Sequence, residues 1–283
     1  RALTNPLTNR AEPFFQFQGR SSGSCFCGIP AMRASTSASH AIGSMSLSFA
    51  VVISVAMMAA LGFSEMAVRA ALSRSAKRGW VVPKREGRAA YYALSDRVYW
   101  QVRQVRRRLY GSLPPWDGRF LLVLPEGPKD RGERERFRRE MALLGYGGLQ
   151  SGVYLGVGAD LEATRELLGF YGLSATCFQG ELLGGKEEVL RAFPLEEAKA
   201  GYGRLSALLG QSPEDPVEAF RHLTRLVHEA RKLLFLDPGL PQELLGPDFP
   251  GPKVRRLFLS AREELRARAA PFLKDLSLLL SDL

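Results

Sequence analysis

Residues 61–95, LGFSEMAVRAALSRSAKRGWVVPKREGRAAYYALS, decide how this chain is read. Ser64 is placed to cap a helix, and Phe63 just before it can pack on Val68 four positions after it as a hydrophobic staple. Val68, Leu72 and Ala76 recur at i, i+4 and i+8, so one apolar stripe faces inward. Arg69, Ser73, Arg74 and Lys77 fall on the other faces, and Gly79 supplies the left-handed stop. The spacing predicts a helix over 65–78 with a basic outer surface.

Two short β-rich runs follow, Trp80-Val81-Val82 and residues 89–94 (AAYYAL), separated by Pro83-Lys84-Arg85-Glu86-Gly87-Arg88. Pro and Gly between such runs predict a hairpin with a basic tip. A basic helix followed at once by a basic hairpin is the order of a winged helix-turn-helix. In that fold arginines of the helix can pair with guanine edges in the major groove, while the hairpin tip reaches phosphate or the minor groove. Arg69, Ser73, Arg74, Lys77, Lys84, Arg85 and Arg88 are therefore the candidate DNA contacts. A short charge run is usually just a solvated turn, but here the neighbouring helix carries the same sign.

Charge bookkeeping along the chain supports this emphasis. The 283 residues carry +10, with 46% hydrophobic and 24% charged residues. This is enough chain for one large or two to three small domains with buried cores, and it excludes disorder throughout. Residues 64–110 hold twelve Lys or Arg against three acids, whereas residues 111–283 hold 23 against 25. The polyanion expected from a pI near 9.8 is thus assigned to one window. Cys25, Cys27 and Cys177 are too few for a disulfide framework and point to a reducing compartment. His40, His222 and His228 show no zinc-ligand spacing, and no metal or cofactor is expected.

Working upstream, residues 45–63 (MSLSFAVVISVAMMAALGF) are almost continuously apolar. A signal peptide or membrane span would look similar, but the run leads directly into the basic helix, which favours a buried helix of the same module. Residues 1–44, rich in Ser, Ala, Gly and Asn, are read as a poorly specified tail.

Downstream, Ser95 can cap a helix with Val98, Val102, Val105 and Leu109 on one stripe and Arg103, Arg106, Arg107 and Arg108 on the other sides, a linker with some electrostatic help. Strand-type runs at 119–124, 153–155 and 175–178 alternate with helical patterns at 131–144 and 161–168. This order suggests a small ferredoxin-like α+β domain. The glycines at 145–148, 156–158 and 184–185 match no phosphate-binding loop and are read as turns. From Glu187 the chain reads mostly as helix, with Phe220, Leu223, Leu226 or Val227 and Ala230 apolar. In the last helix Leu257, Ala261, Leu265 and Arg268 fall at helical spacing. Asp237 and Asp248 lie in Pro- and Gly-rich segments as turn or cap residues.

The stretches LGFSEMAVRAALSRSAKRGWV (61–81), REGRAAYYALS (85–95), WDGRF (116–120), LGYGGLQSGVYLG (144–156) and FRHLTRLVHEARKLLFLDPGLPQELLGPDFPG (220–251) resemble, in the same order, the PaaX family of transcriptional regulators. The family's amino-terminal helix has no recognisable counterpart in residues 1–53. The resemblance implies a cytoplasmic homodimeric repressor of phenylacetate catabolism genes. It further implies phenylacetyl-CoA as the releasing effector; a two-fold dimer predicts an inverted-repeat operator on double-stranded DNA, and no membrane partner is expected. Its fold would be α+β: a winged helix-turn-helix domain over 45–112, a ferredoxin-like middle domain over 113–185 and a helical carboxyl-terminal domain over 186–283. Arg221, His222, Arg225, His228 and Arg231 are candidate effector contacts, because guanidinium forks match the phosphate oxygens of an acyl-CoA. Two other classes compete. A metal-dependent nuclease or acyl-CoA hydrolase on the last two domains would need Asp117 or His228, yet Asp117 stands before its strand rather than at its end. A membrane-anchored regulator would need the apolar run to span a bilayer.

Overall fold

The computed structural model describes residues 48–86, 89–112 and 115–278. The tail 1–44, Cys25, Cys27, His40 and the hairpin tip with Arg88 lie outside the described residues.

The apolar run folds as β1 (Ser48–Ala50) and α1 (Val51–Ala60). Ten residues of helix cover about 15 Å, and no helix among the described residues is long and apolar enough to cross a membrane. α1 is apolar all round because it is covered on two sides. Val51 and Met58 pack with Val68, Leu72 and Val81, while Ile53 and Met57 join the large core of the carboxyl-terminal helices. α2 (Glu65–Lys77) follows, then β2 (Val81–Glu86), β3 (Ala89–Leu94) and α3 (Asp96–Tyr110). The three strands form an antiparallel sheet in the order β1-β3-β2. Register runs from Val81 opposite Leu94 to Glu86 opposite Ala89, so the segment expected to be a six-residue turn is mostly strand. Lys84 and Arg85 belong to β2 and only two residues join the strands.

The middle of the chain forms β4 (Arg119–Pro125), α4 (Arg131–Leu143), β5 (Tyr146–Gln150), β6 (Val153–Val157), α5 (Leu161–Tyr171) and β7 (Ala175–Glu181). The sheet is antiparallel throughout in the order β5-β6-β4-β7, the ferredoxin-like βαββαβ arrangement. Two of the expected turns are partly strand: Gly147 and Gly148 lie in β5, and Gly156 lies in β6, where only Gly158, at φ +62°, turns the chain out of the strand. The reason is packing, since a Cβ on Gly147 would stand 2.6 Å from both the Ala192 carbonyl oxygen and the Phe193 ring, and one on Gly156 would stand 2.8 Å from the Tyr146 ring. Gly145, at φ +95°, does make the turn into β5.

The remainder is helical, with α6 (Lys186–Leu190), α7 (Leu195–Leu209), α8 (Pro216–Leu233), α9 (Gln242–Leu245) and α10 (Gly251–Leu278). α8 buries Phe220, Leu223, Leu226, Val227 and Ala230 against α7 and α10. The α10 stripe is Val254, Phe258, Leu265, Ala269 and Leu276. The expected member Leu257 is 49% exposed, one position off that stripe. The loop between α8 and α10 sends Leu240 and Leu244 into the core under the middle sheet, beside Phe120 and Val157, and Phe249 into the helical core. The two carboxyl-terminal parts are therefore packed as one body.

Candidate nucleic-acid interface

Ser64 Oγ accepts from the Ala67 amide at 3.3 Å, fixing where α2 starts. Phe63 packs on the cluster containing Val68, as the staple requires. The helix buries Val68, Ala71, Leu72 and Ser75 and leaves Met66, Arg69, Ala70, Ser73, Arg74 and Lys77 exposed. The exposed face alternates long cations with small side chains, so a groove edge can approach the helix closely. Arg69 is held along the helix by Glu65 at 2.6 Å. Arg74 and Lys77 enter no ion pair among the described residues, which leaves both cations directed outward. Met66, 80% exposed at the amino-terminal end of this face, was passed over in the sequence because a lone apolar residue outside the stripe gives no periodic signal. Its position suits contact with a thymine methyl group. Lys84 is exposed on β2, opposite Tyr91. Arg85 extends the same strand toward the tip.

α3 has the same sign and a different fate. Arg97 forks onto Glu140 at 3.2 and 2.7 Å, and Gln101 and Tyr171 add hydrogen bonds to the same carboxylate. Glu140 is nearly buried, so three donors replace the water it has given up. Arg103 pairs with Glu166, which also accepts from Trp100 Nε1, and Arg107 pairs with Asp160. The Arg108 guanidinium is enclosed and donates to the carbonyls of Ala142, Leu143, Leu234 and Asp237 at 3.1, 2.7, 2.8 and 2.8 Å. Burial pulls its pKa down to about 10, which leaves it charged at neutral pH. Of the five arginines on α3, only Arg106 has no such partner among the described residues. The basic window is therefore two surfaces, and on one of them most of the arginines already pair with carboxylates or carbonyls of the same molecule.

The candidate effector cluster does not converge. Arg221 bonds to Glu218 and to the Ala60 carbonyl at the end of α1, so it caps a neighbouring helix. His222 is buried, its Nε2 donating to the Leu208 carbonyl at 2.9 Å, and it belongs to the core stripe rather than beside it. Arg225 is exposed and His228 half-buried one turn further along the same face; Arg231 lies off to the side. Burial, then the charges of Lys232 and Arg231, hold His228 below the usual histidine range.

Asp117 accepts from the Arg119 amide at 2.9 Å and shapes the turn into β4. No group of three or more His, Cys, Asp or Glu among the described residues is placed to hold a metal ion. Asp237 accepts from the Gly239 amide and from the Tyr202 hydroxyl, consistent with the turn role expected of it.

Comparison with known proteins matches three consecutive stretches. Residues 50–98 match the family described as PaaX-like protein. Residues 113–191 match the PaaX protein central Cas2-like domain, and residues 193–275 the PaaX-like protein C-terminal domain. The chain is 29% identical over 238 residues to the transcriptional repressor PaaX of Escherichia coli strain K12, covering 78% of this chain and 75% of that one. Among solved structures, an uncharacterized protein from Mycobacterium tuberculosis aligns over 77% of this chain and 89% of its own, with 22% identity and a TM-score of 0.48.

Proposed function

The chain belongs to the PaaX family, and from that premise we propose that it is a cytoplasmic, DNA-binding transcriptional repressor of phenylacetate catabolism genes and not an enzyme. The observation that carries the DNA assignment is the exposed face of α2, where Arg69, Ser73, Arg74 and Lys77 line a capped helix whose other side is buried. We read β1 to α3 as a winged helix-turn-helix with α2 in the major groove and Lys84, Arg85 and Arg88 of the hairpin against phosphate or the minor groove.

The repressor acts as a homodimer on an inverted repeat, with half-sites a whole number of helical turns apart. The outer edge of β7 supports this reading. Among the described residues β7 pairs only with β4, and Cys177, Phe178 and Gln179 are all exposed, Phe178 at 58%. An open, partly apolar strand edge is normally covered or charged, and a second copy of β7 can cover it antiparallel.

Phenylacetyl-CoA is the proposed effector. It must bind the DNA-incompetent arrangement of the dimer better than the competent one, because only differential affinity shifts the equilibrium. Arg221, Arg225, His228 and Arg231 retain accessible surface on α8 for its phosphates, and His222 does not. A mobility-shift titration with phenylacetyl-CoA, controlled with phenylacetate and coenzyme A separately, tests the assignment. Release by the thioester alone is expected, and unchanged binding at saturating thioester would overturn the effector.

A further inference from the structure

α3 is the chain's only covalent route from the helix and hairpin unit to the rest of the described molecule. At fifteen residues it spans about 22 Å. At its start, the Ser95 amide donates to the Trp80 carbonyl at 3.0 Å, tying it to the base of the hairpin. A tether would leave its far end solvated. Here the far end is gripped. Arg108 reaches the last turn of α4 through Ala142 and Leu143, the end of α8 through Leu234, and the following turn through Asp237. A fixed cation suits the carbonyl ends of two helices. The grip is returned from the other side, since Arg255 of α10 donates to the Gly111 carbonyl at 2.6 Å and Arg262 stacks over the Tyr110 ring at 4.1 Å. One turn into α3, Arg97 and Gln101 hold the same helix α4 through Glu140. α3 is thus fixed to α4 at two points along its length, and it can neither roll nor tilt without breaking one of them.

We infer that Arg108 is a positioning residue for operator recognition: by locking α3 to α4 and α8, it sets the separation between the two α2 helices of a dimer and so the half-site spacing the protein accepts. The inference rests on the dimeric, DNA-binding reading above. Arg108 touches no DNA in this account, and its effect is carried by geometry alone. α1 also docks on the carboxyl-terminal helices through Ile53, Met57 and the Arg221 to Ala60 hydrogen bond, so a loose α3 widens the range of separations open to each α2 without freeing it.

The test uses full-length protein and the operator duplex that the wild-type protein recovers from a randomized pool. The same duplex is also made with one half-site scrambled, and with the spacer lengthened by about half a helical turn, roughly 5 base pairs. Wild-type protein is expected to reject the lengthened spacer. Arg108→Gln is expected to match wild type on the single half-site while losing about tenfold of the preference between the two spacings, equivalent to about 1.4 kcal/mol. Arg108→Lys, which keeps the charge and fewer of the four hydrogen bonds, should fall between them. A variant that keeps full spacing preference, or that loses half-site and full-site affinity equally, overturns the inference. If melting shows that Arg108→Gln does not fold, Glu140→Gln keeps the shape of the second anchor while removing its charge. It carries the same expectation, and unchanged spacing preference there overturns the inference equally. A wild-type protein indifferent to spacing overturns the dimeric reading itself, and is recognised before any variant is made.

Discussion

α2 and α3 are both basic helices of similar length, fewer than twenty residues apart in the chain, and a charge count along the sequence treats them alike. Their surroundings do not. On α2 the cations stand on the side away from the core, with Ala70 and Ser73 between them. On α3 they meet Glu140, Asp160 and Glu166 and a ring of four carbonyls. The lesson is that net charge locates a polyanion site only after internal partners are subtracted. Here the subtraction removes four of the five α3 arginines and, on α2, Arg69, and it leaves Arg74 and Lys77 on the exposed face of α2.

The comparison can be broken by mutation on either side, and the largest effects are expected on α3. Trp100 is 3% exposed among the middle-domain core residues, so Trp100→Ala should cost about 3 to 5 kcal/mol in denaturant unfolding. An exposed-residue cost of under about 0.5 kcal/mol would show that α3 is not docked as described. On α2, Arg74→Ala should weaken operator binding by about 1 to 3 kcal/mol and relax one base position, while leaving stability unchanged. Equal losses on operator and random duplexes would assign Arg74 to phosphate instead. Ser64→Ala removes the cap of α2 and should cost about 0.5 to 2 kcal/mol of stability, measured by thermal melting.

The smallest effect concerns pH. His228 sits below its ordinary value of 6.5, chiefly through burial. The unfolded chain therefore takes up its proton first, and the stability contributed above pH 6.5 is lost as the pH falls through the unfolded and then the folded value. His228→Gln should flatten the acid limb of a stability profile, and an unchanged limb would show that His228 is solvated.

Much of the helix and hairpin unit was legible because its signals are local. The cap, the staple, the stripe and Gly79 lie close together in the chain and agree with one another. The core strands and helices of the middle domain were legible for the same reason. What escaped the sequence depends on distant partners. Gly147 reads as a turn until Phe193 and the Ala192 carbonyl arrive beside it. Arg108 reads as a surface cation until carbonyls more than thirty residues away enclose it. His222 and the core stripe of α8 differ by a fraction of a helical turn. Periodicity does not resolve that, and the hydrogen bond to Leu208 on α7 does.

The central claim, that DNA is met by α2 and the hairpin and not by α3, is tested most directly by the salt dependence of operator binding. Wild type would be compared with the Lys77→Ala/Lys84→Ala and Arg103→Ala/Arg107→Ala double variants. Removing one cation from a phosphate should lower the slope of log affinity against log salt by about 0.9. With two cations lost from each of the two protomers, a slope reduced by roughly 3.6 is expected for the first variant and an unchanged slope for the second. A reduction confined to the Arg103 and Arg107 variant would contradict it.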